Sequence, residues 1–85
     1  ESDILGIRVS NTKDNNGVKI ISIEKGSPAQ KNGLAVNDII LKIARNKISS
    51  IEDYENIIKR YSDGDVIMIR IQRNGNQVIR AFNIN

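Results

Sequence analysis

Cysteine, histidine and tryptophan are absent from this sequence, and proline, methionine and phenylalanine occur once each. Each absence excludes some chemistry. Without Cys there is no disulfide framework and no thiolate nucleophile, and the redox compartment stays open. Without His, the usual general base and the best zinc ligand are both missing. A Ser-His-Asp or Cys-His arrangement cannot be assembled, so catalysis would have to rest on carboxylates, lysines or tyrosines. Long apolar runs are missing as well, and none approaches the roughly twenty residues that a membrane-spanning helix needs. No signal-peptide pattern is visible, and the chain opens on Glu1 rather than Met. It reads as one domain, residues 1–85, cut out of something longer.

The charge is mild. Thirteen Lys and Arg against ten Asp and Glu give a net charge of +3, and the basic residues are scattered along the chain rather than gathered in a block. A nucleic-acid surface usually interleaves a basic stripe with aromatics that stack on bases. Here the aromatics are Tyr54, Tyr61 and Phe82, so neither nucleic acid nor membrane insertion is expected. No cofactor and no metal are expected either. Asp14-Asn15-Asn16-Gly17 invites a calcium reading, but an EF-hand loop with Gly17 at its glycine position would need a first ligand at Thr12 and a glutamate at Ile23. A polar turn accounts for it better. Asp63 and Asp65 sit beside a helix end and carry no acid–base role. Ser27, Ser49 and Ser50 read as helix caps, because nothing near them could take a proton.

What is present is isoleucine and valine, within a hydrophobic share of 39%. β-Branched side chains pack well on a pleated surface, which favours strands. Leu5 to Val9 is a short apolar segment, followed by a polar loop from Ser10 to Gly17. Val18 to Ile23 is a run of strand length that ends at Lys25-Gly26. Ser27-Pro28 then starts a helix, with a cap oxygen followed by a proline suited to the first helical position. Gly33 stops that helix, which leaves Pro28 to Asn32 as one short element with Ala29 facing inward. Asp38 to Ile43 follows as a strand with Ile39, Leu41 and Ile43 on one face, then a turn over Ala44 to Lys47.

Ser49-Ser50 caps a longer helix. Glu52 and Asp53 fall in its first turn and Lys59 and Arg60 in its last, as the helix dipole favours. Ile51, Tyr54, Ile57, Ile58 and Tyr61 recur at intervals of three and four and make one apolar face. After the break at Asp63-Gly64, Val66 to Gln72 alternates, with Ile67, Ile69 and Ile71 on one side. Asn74-Gly75 is the strongest short hairpin signal available and returns the chain as a last strand, Gln77 to Ile84.

The string Gly26-Ser27-Pro28-Ala29-Gln30-Lys31-Asn32-Gly33-Leu34, followed by Asn37-Asp38-Ile39-Ile40, resembles the GSPAxxAGLxxGDxI signature of bacterial PDZ domains. Upstream, Ile4-Leu5-Gly6-Ile7 resembles the carboxylate-binding loop of that family, in the form frequent among HtrA-type serine proteases. The resemblance covers about eighty residues. The sequence departs from it at Asn37, where Gly is usual, and at Arg45-Asn46-Lys47, where Asn-Gly-Lys is usual. Both changes put Asn where positive φ is expected, and Asn tolerates that region best after Gly.

The resemblance implies an α+β fold: a five- or six-stranded, partly closed, antiparallel-rich sheet flanked by two helices. It implies a non-catalytic module that recognises extended polypeptide C-termini by strand addition. The peptide-binding residues it points to are Leu5, Gly6, Ile7, Arg8, Val9, Tyr54, Ile58 and Tyr61. A terminal carboxylate can be held by converging backbone N–H groups, and Gly6, lacking Cβ, lets the chain turn sharply beside it. Leu5 and Ile7 would flank the last ligand residue; the other reading makes them ordinary core, with Gly6 at a bulge. Tyr54 and Ile58 are expected to face a groove, and Ile51 and Ile57 the core; the other reading puts the whole stripe in the core. The parent implied is a homo-oligomeric HtrA-type serine endopeptidase of the bacterial periplasm or cell envelope, for which the module would recognise substrates or regulate the catalytic domain. Two alternatives remain. One is a PDZ domain of another parent, such as a site-2, C-terminal processing or aspartic protease or a secretion component. The other is an assembly module that binds no free C-terminus.

Overall fold

Alternation of β-branched residues, broken at glycines and asparagines, is realised as six strands and two helices in the computed structural model, which describes residues 4–84. Residues 1–3 and 85 of the expected domain lie outside the described residues. The order is β1 (Ile7–Asn11), β2 (Val18–Ile23), α1 (Pro28–Lys31), β3 (Ile39–Ile43), β4 (Asn46–Lys47), α2 (Ile51–Ile58), β5 (Val66–Arg73) and β6 (Asn76–Asn83). All pairings are antiparallel, and the spatial order is β1-β2-β3-β5-β6, with the two-residue β4 added to β3. The α+β expectation holds.

The core is almost entirely aliphatic. Ile67, Ile69 and Ile71 are fully buried, as their alternation predicts, and meet Leu5, Val18, Ile20, Ile40, Ile43, Ile48 and Ala29. Burying side chains of this size contributes roughly 1.5–3 kcal/mol each. In β3 the inward set differs from the expected Ile39, Leu41 and Ile43. The pairing with β5 steps from Ile40↔Ile71 to Lys42↔Arg70, so Leu41 is the extra residue of a bulge. Ile40 and Ile43 therefore point inward, and Leu41 is half-exposed.

Both helix starts form as the cap residues predict. Ser27 Oγ accepts from Gln30 N at 3.2 Å, and Gln30 Oε1 accepts in return from Gly26 N at 2.6 Å. Ser50 Oγ accepts from Asp53 N, and Asp53 Oδ2 accepts from Ser49 N. These reciprocal bonds satisfy amide donors that a helix leaves unpaired. α2 ends sooner than expected. Lys59 is its C-cap, and Arg60 N and Tyr61 N bond to Ile57 O and Ile58 O in a tightened turn. Lys59, Arg60 and Tyr61 thus follow the helix, and its last turn carries no basic residue.

The turns divide. Asn74 and Gly75 both have positive φ, 53° and 83°, and join the paired residues Arg73 and Asn76. Asn37, at φ 81°, also adopts the expected conformation. Asn46 does not, because it belongs to β4; the positive φ of that turn, 55°, falls on Ala44. The polar loop is knit by Thr12, whose Oγ1 donates to Asp14 Oδ1 at 2.9 Å and accepts from Asn16 N at 3.0 Å. Asn16 N also donates to Asp14 Oδ1 at 3.2 Å, and the exposed Asp14 carboxyl is held below its ordinary range first by the Thr12 hydroxyl and then by this amide.

Candidate functional site

β1 ends the sheet. It pairs with β2 on one side, and on the other side α2 lies alongside it, leaving a groove of about 370 Å³. Edge strands usually carry backbone groups that can pair with another chain, and proteins generally cover or blunt them. Here the edge is flanked by a helix with room between them. The groove is lined by Ile7, Arg8 and Val9 from β1, by Ile51, Tyr54, Glu55 and Ile58 from α2, and by Ile21 from β2.

The far end of the groove is tied. Asn11, the last residue of β1, accepts from Ile51 N through Oδ1 at 2.8 Å. This bond fixes where the start of α2 stands relative to the strand and satisfies one of its unpaired amides. The other end is set by the loop before β1. Leu5 O accepts from Ala29 N at 3.1 Å and Gly6 O from Glu24 N at 2.8 Å, which bind that loop to α1 and to the end of β2. Gly6 has φ 78°, and a Cβ there would stand 2.3 Å from Ser27 Cβ. Glycine is thus demanded both by the backbone conformation and by contact with the α1 cap.

Of the eight residues singled out by sequence, Ile7, Arg8, Val9, Tyr54 and Ile58 come together in the groove. Leu5 is fully buried in the core, so its side chain is not offered to a ligand, and Gly6 contributes backbone geometry. Tyr61 packs partly buried against the core beyond the end of α2 and does not line the groove. Ile51, expected in the core, lines the groove and is only half-buried, whereas Ile57 is core as expected. Tyr54 and Ile58 serve both surfaces, being 2% and 5% exposed while lining the groove.

Two lining residues went unpredicted. Glu55 sits four residues after Ile51 and three before Ile58, so the helical period already contained it, but its charge hid it from a search for apolar faces. Ile21 owes its position to a bulge. The β1–β2 register steps from Arg8↔Ser22 to Val9↔Ile20, leaving Ile21 as the extra residue, 48% exposed. Nothing in the sequence signals that step. Arg8 and Glu55 put one charge of each sign on the two sides of an otherwise apolar channel.

An edge strand facing a helix across an apolar groove suits an added peptide strand. The family model for the PDZ domain matches residues 4–83. The chain belongs to the PDZ domain family. Among curated proteins, this PDZ domain is 34% identical over 74 residues to the serine protease Do-like HtrA of Bacillus subtilis, covering 84% of this chain and 16% of that protein. It is 39% identical over 83 residues to a probable periplasmic serine endoprotease DegP-like of Chlamydia pneumoniae, covering 74% of this chain and 17% of that one. The chain thus spans about a sixth of the length of these relatives. Among solved structures, an HtrA-type protease, AlgWS227A with a decapeptide, superposes with a TM-score of 0.86 at 24% identity, over 95% of this chain and 28% of that one. The HtrA3 PDZ domain bound to a phage-derived ligand, FGRWV, gives 0.78 at 17% identity, over 93% and 81%. The relatives are thus HtrA-type serine proteases, and the module itself is a peptide-binding domain rather than a catalytic one.

Proposed function

We propose that this PDZ domain captures extended polypeptides by their free C-termini, as the substrate-selecting or regulatory module of an HtrA-type serine protease of the bacterial periplasm or cell envelope. The observation that carries the reading is the groove itself, in which the outer edge of β1 runs beside the apolar face of α2. Backbone pairing along Ile7–Val9 supplies affinity that tolerates many sequences. Ile51, Tyr54 and Ile58 favour apolar ligand side chains, and the Leu5-Gly6-Ile7 turn receives the terminal carboxylate. Arg8 favours an acidic neighbour in the ligand, and Glu55 a basic one. The curated relatives include proteins named as periplasmic endoproteases, and structural neighbours were solved with peptides bound.

The test is a titration of the isotopically labelled domain with a peptide ending in Val. Amides of residues 5–9 and 51–58 should move, with affinity on the order of micromolar, or about −8 kcal/mol. Amidating the peptide removes the terminal charge and should weaken binding by at least ~1.5 kcal/mol, the low end for a charge-assisted hydrogen bond. Ile51→Glu should weaken binding as strongly while leaving the fold intact, because Ile51 is half-buried. Equal binding of acid and amide would rule out the carboxylate loop and favour an assembly module.

A further inference from the structure

The solvent face of β3, β5 and β6 carries apolar and basic side chains that the groove does not use. On β5, Val66 and Met68 are 64% and 53% exposed, and on β6 Ile79 is 55% exposed. Directly paired residues share a face of a sheet, and the pairs here are Met68↔Ala81 and Arg70↔Ile79. Single exposed apolar residues need no explanation, but a contiguous group does.

Beside this group the charges line up. Lys47 pairs with Lys42, and Lys42 pairs with Arg70, so three cations stand in direct register across three strands. Like charges placed opposite one another destabilise a sheet. Nothing relieves them, since among the described residues the ion pair formed is Arg73–Asp38, elsewhere in the fold. Lys42 and Arg70 line two depressions, one of about 160 Å³ with Arg45, Met68 and Ile79, the other of about 190 Å³ with Lys47. No Asp or Glu lines either one.

We propose that this face is a second docking surface, for an acidic protein segment that carries apolar side chains among its carboxylates. The unrelieved cations call for negative charge. The depressions are the size of single side chains, which suits Leu or Phe entering over Met68 and Ile79. A single-stranded nucleic-acid site would offer aromatics for base stacking, and neither lining contains one. A bilayer-seeking surface would present an amphipathic helix or interfacial aromatics, and this is a strand face without them.

The probe is a short peptide of alternating Glu and Leu, acetylated and amidated so that it offers no free terminus to the groove. Titrated into the labelled domain, it should move amides of residues 42–47, 68–70 and 77–81 and leave 7–9 and 51–58 in place. Its affinity should fall at least about tenfold when salt shortens the screening length from ~10 Å to ~3 Å. Lys42→Glu with Arg45→Glu, both at exposed positions, should abolish binding, and Met68→Lys should weaken it with the fold unchanged. A peptide of alternating Lys and Leu should not bind. The proposal fails if the acidic peptide moves nothing at millimolar concentration, if it moves only the groove, or if charge reversal leaves its affinity unchanged. It also fails if vesicles of phosphatidylcholine and phosphatidylglycerol bind this face while the peptide does not.

Discussion

Replacing Arg73 with Met should cost this domain a large part of its stability. Asp38, just before β3, is 2% exposed. Arg73 reaches it with both arms of its fork, Nε to Oδ1 at 2.8 Å and Nη2 to Oδ2 at 2.6 Å. Nη2 also donates to Gly33 O at 2.9 Å, so one side chain ties the loop after α1 to the end of β5. Donating to Asp38 raises the Arg73 guanidinium further above its already high range. In Arg73→Met the Asp38 carboxylate keeps, among the described residues, the one donor Ala35 N at 2.9 Å. Removing one partner of a buried pair costs about 3–5 kcal/mol. The arginine side chain is 33% exposed, and water screens its share, so the expected loss is ~2–3 kcal/mol. A domain of this length holds on the order of 4–13 kcal/mol in all. With a urea slope of about 1.5–2 kcal/mol/M, inside the usual range of about 1–3, the midpoint should drop by roughly 1–2 M with the slope unchanged. Because Asp38 is buried, high salt should leave most of the effect in place. Adding Asp38→Asn should then cost less than it does alone, with a coupling of at least ~1 kcal/mol. A midpoint within ~0.3 M of wild type, or strictly additive variants, would refute the assignment.

Three smaller perturbations follow from the turns. Ala44→Gly should stabilise the domain by up to ~1 kcal/mol in the same urea assay, since alanine at φ 55° carries a left-handed penalty that glycine avoids. Gly75→Val should destabilise by about 1 kcal/mol or more, because a β-branched residue resists the φ of 83° that the hairpin requires. Carboxyl titration by NMR should place Asp14 below 3.8, and Thr12→Val should move it back up. A carboxyl depressed in the folded state adds stability above its unfolded value and loses it as pH falls through the folded one, so Thr12→Val should flatten the acid limb of the stability curve.

The order and type of the elements were legible because the local signals agreed with the global fold. Ser27-Pro28, Ser50 and Asn74-Gly75 each state a backbone geometry outright, and the alternation in β5 fixes which face is buried. What escaped was register. Single extra residues at Leu41 and Ile21 reverse which neighbours point inward, and a bulge has no composition of its own. The same limit hid the role of Asp38. Its place in the signature was plain, but its partner Arg73 lies 35 residues away, and only the folded sheet brings them together. In the groove, helical spacing found Tyr54 and Ile58 but could not orient Ile51. That depends on where α2 rests against β1, and the Asn11 bond to Ile51 N is a contact across 40 residues.

The dual exposure of α2 has a consequence for how binding and stability are separated. Tyr54 and Ile58 line the groove yet are almost wholly buried, so each packs the core with most of its surface and meets a ligand with the remainder. A charge at Ile58 would be placed in the core as well as in the groove. Ile58→Glu is therefore expected to unfold the domain, and lost binding in that variant would say nothing about the ligand. Arg8 and Glu55 are exposed and Ile51 only half-buried, so changes there disturb the core less than changes at Tyr54 or Ile58, and specificity is best tested there. The same sharing makes the ligand a stabiliser of the fold. A peptide that binds only the folded domain raises its stability by about 2.7 kcal/mol at a hundred times its Kd. That increment rivals the loss expected from Arg73→Met, so a saturating C-terminal peptide should restore most of the thermal stability of that variant. The amidated peptide at the same concentration should restore markedly less. If both rescue equally, the carboxylate contributes nothing to the grip, and the assembly-module reading is the better account.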